Sequence, residues 1–407
     1  MDEVIKDLRA TVDGGTAHGI VLGWRVGDRV DTVVAGARGP GGDTLTAATP
    51  FPVASITKPT TATLLHALAA KGLLDLGEPV WHDANLRSLL RHTGGVGPGW
   101  GGDLAALGHG EDAAARFAAR ADEIEWLGAP WSYGNPGYWL AGHHAAVAAG
   151  TSFEQALHDH VFAPAGMDGA DCRPWAEDPA ALAHDAADPR ETSYLAMPRA
   201  RVPSGGMRAT VADVLALAAA TWPGGAFDGL GVLGTDPDTD YAEAYGGRLW
   251  GPGWEAWKSG DAVVAGHSGV YGGFRTRLWS VPSRRTAVAV LAVGKDSEDA
   301  VLDLALRAVT ATTGLVEPRQ QPGPMREPLD AYAGVYARDG VRHEVTVAGE
   351  ALNVRTADAT VTARPFHDDR FLLDGTTSPA RHVEFLRDAT GAITFVRPGP
   401  LAARRIA

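Results

Sequence analysis

A serine and a lysine stand three residues apart in Ser55-Ile56-Thr57-Lys58, where the pattern of the chain turns helical. Leu64, Leu65, Leu68 and Ala69 form an apolar stripe that stops at Lys71-Gly72, a basic residue and a glycine suited to a helix C-terminus. Pro59 falls in the first turn, where a missing N–H costs little. Residues three apart on a helix share a face, so the hydroxyl and the amine can touch. A serine hydroxyl is a poor nucleophile until a base takes its proton, and a lysine whose ammonium is destabilised by burial or by other cations can be that base. The helix start adds unpaired backbone N–H groups that favour developing negative charge. An ordinary N-cap serine has the same local appearance, so the pair needs company elsewhere in the chain.

Two other segments supply it. Trp131-Ser132-Tyr133-Gly134-Asn135-Pro136-Gly137-Tyr138 is rich in turn residues and precedes an apolar helical run from Trp139 to Val147. It offers a phenol and an amide two residues apart at a loop tip. Gly266-His267-Ser268-Gly269-Val270-Tyr271-Gly272-Gly273 leads into Phe274-Arg275-Thr276-Arg277-Leu278-Trp279, whose alternation predicts a strand. Its glycines let the backbone approach a substrate closely. Taken singly, Tyr133 also reads as a partly buried aromatic and the glycines as a hairpin bend.

In this order the three segments resemble the serine β-lactamase and penicillin-binding protein superfamily, on the branch of class C β-lactamases, D-aminopeptidases, DD-carboxypeptidases and esterases. That branch carries Ser-x-x-Lys, then Tyr-x-Asn, then a Lys- or His-containing triplet ending in Gly. Leu89-Leu90-Arg91-His92-Thr93-Gly94-Gly95, Gly150-Thr151-Ser152-Phe153, Pro164-Ala165-Gly166-Met167 and Ser204-Gly205-Gly206-Met207 with Thr210 and Asp213 are similar to flanking segments of the same branch. The resemblance covers residues 15 to 310. It implies that Ser55 becomes acylated, that Lys58 keeps its proton mobile, and that Tyr133 is a phenolate-like base and later the acid for the leaving group. It implies that Asn135 binds a substrate amide carbonyl, that the N–H groups of Ser55 and Val270 form the oxyanion hole, and that His267, with Ser268 and Gly269, occupies the third-motif cationic position. A histidine is only partly charged at neutral pH where β-lactamases of this branch carry lysine, which argues against a dedicated β-lactamase. No Ser-Asp-Asn triplet is present, so the other β-lactamase branches do not fit.

The chain's 407 residues, 45% of them hydrophobic, predict two domains rather than one. A net charge of -13 without a basic stripe excludes nucleic-acid binding as a main function. The opening Met1-Asp2-Glu3-Val4-Ile5-Lys6-Asp7-Leu8 has neither a basic lead nor an apolar core, and no apolar run reaches membrane-spanning length. The expectation is a cytoplasmic protein without membrane contact, which disfavours cell-wall chemistry. One cysteine, Cys172, excludes an internal disulfide; with Asp171 and Arg173 beside it, it reads as part of a polar loop and not as a nucleophile. His158-Asp159-His160 and His143-His144 put their imidazoles on different sides of a helix, so no metal and no cofactor is expected. Trp126, Trp131, Trp139, Trp254, Trp257 and Trp279 read mostly as core, with one or two lining an apolar acyl pocket.

The expected fold class is an α/β (α+β) β-lactamase-like catalytic domain, an antiparallel sheet plus a helical lobe, over residues 1–315. Residues 20–26 and 32–35 read as a hairpin, 286–293 as a buried strand of the same sheet, and residues 60–225 as the helical lobe, with the site at the junction. Prolines at 318, 322, 324 and 328 mark an extended linker over 316–328. Short alternating segments at 343–347, 351–354, 370–373, 383–386 and 393–396 then predict a small all-β barrel over 329–407. Its opening, Leu329-Asp330-Ala331-Tyr332-Ala333-Gly334-Val335-Tyr336, resembles the lipocalin-like domain that follows many catalytic domains of this family. The barrel reads first as a packing module and second as a substrate gate.

The leading functional expectation is a serine hydrolase acting through an acyl-Ser55 intermediate on an ester or amide. The alternatives are a thioesterase or acyltransferase that cyclises or releases a peptide bound to a carrier protein, and a non-catalytic β-lactam-binding or scaffold protein. The partners expected are a small-molecule or peptide ester, amide or thioester.

Overall fold

The computed structural model describes residues 1–128, 130–172, 197–233, 241–357, 359–374 and 381–407. The main sheet holds eight strands: β1 (Gly19–Val26), β2 (Arg29–Gly36), β3 (Ala242–Glu243), β4 (Leu249–Trp250), β5 (Glu255–Ser259), β6 (Ala262–Tyr271), β7 (Phe274–Val281) and β8 (Thr286–Val293). Their spatial order is β2-β1-β8-β7-β6-β5-β4-β3, and every pair is antiparallel. β8 is apolar on both faces because both are covered. Ala287, Ala289, Leu291 and Val293 enter one core while Val288, Val290 and Ala292 enter another.

The second core is closed by α1 (Asp2–Asp13) and α5 (Glu298–Thr313), through Val4, Leu8, Val301, Leu304 and Val309. The first is closed by the helical lobe, principally α2 (Thr57–Ala70), α3 (Asn135–Ala149) and α4 (Val211–Ala220). Thr210 caps α4 reciprocally with Asp213, as the sequence pattern suggests. Residues 173–196 of the expected helical stretch lie outside the described residues. Cys172 departs from expectation: it is buried in the first core, where desolvation raises its thiol pKa well above the usual value.

Residues beyond 333 form a closed antiparallel barrel of eight strands: β9 (Gly334–Arg338), β10 (Val341–Ala348), β11 (Ala351–Arg355), β12 (Thr360–His367), β13 (Arg370–Leu373), β14 (His382–Arg387), β15 (Ile393–Pro398) and β16 (Ala403–Arg405). Five strands are evident in the sequence. β9, β12 and β16 are not, because Pro365 interrupts β12, two of the three residues of β16 are arginines, and β9 reads as part of an opening motif. Tyr332, Tyr336, Phe371 and Phe385 fill the barrel, so its interior is a packed core. The proline-rich segment before it is held against both parts. Glu317 pairs with Arg248 at 2.6 Å, the Gln320 amide donates to Gly246 O at 2.6 Å, and Gly323 N–H donates to Phe366 O at 2.8 Å.

Candidate active site

Ser55 lies in a tight turn over Ala54–Ile56 that runs directly into α2. Ala54 adopts φ +50°, a left-handed conformation that costs a non-glycine residue about 1–3 kcal/mol and persists only where surroundings impose it. Thr57 supplies much of that imposition. Its hydroxyl donates to Ala54 O at 2.6 Å and accepts from Met207 N–H at 3.0 Å, while Val53 N–H donates to Met207 O at 3.1 Å. The Ser204–Met207 turn thus braces the serine turn from behind.

One helical turn on, Lys58 is fully buried, with Nζ 3.0 Å from Ser55 Oγ and 2.8 Å from Ser204 O. Nζ also lies 4.7 Å from the Tyr133 ring centre and 5.4 Å from that of Tyr138. Ring faces favour an ammonium by about 0.5–2 kcal/mol, whereas full burial shifts a lysine by up to about 3–5 pKa units. Burial wins: desolvation, then the charge of Arg201, holds the Lys58 pKa well below its ordinary value. The neutral amine can donate one N–H to Ser204 O and turn its lone pair to Ser55.

Asn135 is the first residue of α3, so the phenol sits on the approach to the helix and the amide at its N-terminus, where the sequence placed both at a loop tip. The Tyr133 ring packs over Lys58 Nζ, next to Ser55, and burial pushes the phenol's pKa well above the usual value. The resting phenol is therefore neutral, in place of the expected phenolate-like group. The side-chain amide of Asn135 has no hydrogen-bond partner among the described residues.

His267, Ser268, Gly269 and Val270 lie in β6. β5 pairs with β6 only as far as Gly266, so no described strand pairs with the stretch from His267 to Tyr271 on that side. Gly269 is required by protein packing: a Cβ there would lie 2.2 Å from Val53 O and 2.2 Å from Thr276 Oγ1. This contact sets the Val270 backbone beside the Ser55 turn. His267 differs from expectation. It is buried, its Nδ1 lies 2.5 Å from Ser268 O and so carries the proton, and desolvation lowers its pKa to about 3. The third-motif position holds a neutral imidazole, not a partial cation. Behind it Glu255 and Arg277 form a buried ion pair.

His92 has no role evident in the sequence beyond its place in a family-like segment. Its Nδ1 accepts the Gly134 N–H at 3.1 Å, between the phenol and the amide of the Tyr-x-Asn segment, and its ring packs 4.4 Å from that of Tyr133. Its φ of +59° is a second imposed left-handed conformation, invisible in sequence. Of the tryptophans, Trp131 joins Trp250, Tyr133 and Tyr245 in one cluster beside the site, whereas Trp126 is exposed.

Buried Lys58 and half-buried Ser55 and Tyr133 thus meet in one cluster, with Asn135 and the unpaired edge of β6 flanking it. No described helix is long and apolar enough to cross a membrane.

The Beta-lactamase family profile matches residues 4–312. "Penicillin-binding protein 4" of Amycolatopsis lactamdurans is 27% identical over 327 residues, 71% of this chain and 85% of that protein. Among solved structures, that of SurE with D-Leu aligns over 100% of this chain and 99% of its own, with a TM-score of 0.80 and 24% identity. D-amino acid amidase from Ochrobactrum anthropi SV3, complexed with D-phenylalanine, aligns over 76% of this chain and 99% of its own, with a TM-score of 0.61 and 21% identity. These structural likenesses show the fold.

Proposed function

The chain belongs to the Beta-lactamase family, and from that premise we propose that it is a serine hydrolase in which Ser55 is acylated by an amide or ester whose acyl part ends in a D-configured residue. The observation that carries the chemistry is the buried Lys58 Nζ, 3.0 Å from Ser55 Oγ and disposed to be neutral. Support for the configuration comes from SurE, recorded with D-Leu, and from the amidase's designation as a D-amino acid amidase, which is recorded with both D- and L-phenylalanine.

Ser55 Oγ attacks the substrate carbonyl carbon while its proton passes to the Lys58 lone pair. The carbonyl oxygen gains negative charge between the N–H groups of Ser55 and Val270, where preorganised donors act in a desolvated site. As the tetrahedral centre collapses, the bond to the leaving group breaks. The neutral Tyr133 phenol gives its proton to that group and is reprotonated by Lys58. Water then attacks the acyl-enzyme by the same route in reverse, releasing the acid and restoring Ser55. Asn135 and the unpaired edge of β6 hold the acyl chain as an added strand. Neutral His267 makes no fixed demand for a substrate carboxylate.

A second reading replaces water by an amine, giving an acyltransferase that cyclises or releases a carrier-bound peptide. It is favoured by the barrel standing against the Tyr133 segment, a wall that can exclude water from the acyl-enzyme. Hydrolysis of D- and L-aminoacyl p-nitrophenyl esters, with and without an added amine, tests both readings. Turnover favouring the D series at least tenfold and lost in Ser55→Ala is expected. Equal rates for both series would remove the configurational assignment, unchanged turnover in Ser55→Ala would remove the nucleophile, and amide in place of acid as the product would select the second reading.

A further inference from the structure

The barrel meets the catalytic part through buried charge. Glu384 of β14 and Arg397 of β15 are both almost fully buried, with side chains 3% and 6% exposed. Arg397 Nε donates to Glu384 Oε2 at 2.9 Å, its Nη1 to Trp131 O at 3.0 Å and its Nη2 to Ala244 O at 2.9 Å. The other oxygen of Glu384 accepts Gly246 N–H at 3.0 Å and pairs with Arg370 Nε at 2.7 Å. Just after β15, Pro400 O accepts the Tyr133 N–H at 2.9 Å, and Ala402 N–H donates to Ser132 Oγ at 3.2 Å.

Trp131, Ser132 and Tyr133 are thus each fastened to the barrel, while the N–H groups of Ser132 and Gly134 are fastened to His92 of the catalytic part. An interface that served packing alone gains nothing from this. Burying an arginine and a glutamate carries a desolvation cost that an apolar pair of the same volume avoids. What the charges supply is direction. The planar guanidinium fixes two carbonyls at set angles, one on each of the segments carrying Tyr133 and Tyr245.

We propose that the barrel is a working part of the active centre: Arg397, oriented by Glu384, is a positioning residue that holds the Tyr133 phenol at Ser55. This rests on the serine-hydrolase reading above. It assigns the C-terminal domain a role in the rate of acylation, beyond packing and beyond gating.

The test uses the full chain and four variants: Arg397→Met, Arg397→Lys, Ser132→Ala and Arg364→Met. Arg364 pairs with Asp374 on the exposed side of the barrel and serves as the control. For each, kcat and KM on a p-nitrophenyl ester, the rate of fluorophosphonate labelling at Ser55 and the unfolding midpoint are measured. Arg397→Met is expected to lower kcat and the labelling rate 10- to 100-fold, with KM within threefold and the midpoint unchanged or raised. Arg397→Lys should recover part of the rate, since one ammonium cannot reach all three acceptors in plane. Ser132→Ala, a small change that keeps the fold even if Arg397→Met does not, should lower kcat three- to tenfold at constant KM. Arg364→Met should match wild type. Wild-type kcat and labelling in folded Arg397→Met or in Ser132→Ala would overturn the proposal and leave the serine reading standing. A wild type that takes no label at Ser55 would overturn both.

Discussion

Lys58 shows how the site sets reactivity against stability. Unfolded, its amine is protonated at any pH below about 10.4; folded, it is buried and its pKa is well below that. Between the two values the unfolded chain binds the extra proton, so the lysine lowers stability at neutral pH and the penalty fades as pH rises toward 10. Lys58→Met is therefore expected to abolish turnover while stabilising the fold by about 0.5–2 kcal/mol. Denaturant melts at pH 7 check this, and a destabilised Lys58→Met would contradict it. His267 gives the matching case on the acid side. Its folded pKa of about 3 lies below the unfolded value near 6.5, so its contribution is complete above pH 6.5 and is lost as pH falls from 6.5 toward 3. Over that window it adds a slope of up to about 1.4 kcal/mol per pH unit. His267→Asn should flatten the stability profile there, and a profile parallel to wild type would argue that the imidazole is charged in the fold. Neither shift is legible in a sequence. Spacing brings Lys58 to Ser55, but the burial that neutralises it comes from Ser204, Tyr133 and Tyr138, brought in from far along the chain.

Among the elements, β6 carries the most constraint. Its glycine-bearing second half reads in sequence as room for a substrate, yet Gly269 gives its space to the backbone of Val53. A methyl group there meets a carbonyl oxygen that cannot swing aside, so β6 and the Ser55 turn must separate. Misplacement by about 1 Å can cost a site about a hundredfold in rate. Gly269→Ala is expected to lose that much in fluorophosphonate labelling, with the fold retained by circular dichroism. Labelling within twofold of wild type would mean that β6 does not set the oxyanion geometry. β8 was readable at this scale because a strand covered on both faces has one simple signature, an unbroken apolar run. Three barrel strands are missed by pattern: β16, two of whose three residues are arginines, β12, which a proline interrupts, and β9, which reads as part of an opening motif. The start of α3 was misjudged because Asn135-Pro136-Gly137 carries turn chemistry, although a proline just inside a helix start is equally at home.

At the scale of the molecule, residues far apart in sequence close on one serine. Met207 and Ser204 brace its turn, Tyr133 reaches it from the approach to α3, β6 flanks it, and the barrel grips the tyrosine segment from outside. The order of the three motifs and the change of pattern near residue 316 made the parts legible. How the parts meet was not, because the joining contacts are mostly backbone atoms and a buried ion pair. Trp131 O, Tyr133 N–H and Pro400 O have no signature in composition or period. Glu384 and Arg397 look in sequence like any charged residues on short strands, and only their burial sets them apart. The central claim is that Ser55 is a nucleophile activated by this arrangement. Intact-mass spectrometry of the full chain after fluorophosphonate treatment, with Ser55→Ala in parallel, tests it most directly. One adduct on wild type and none on Ser55→Ala is the predicted result; equal labelling of the two proteins would contradict it.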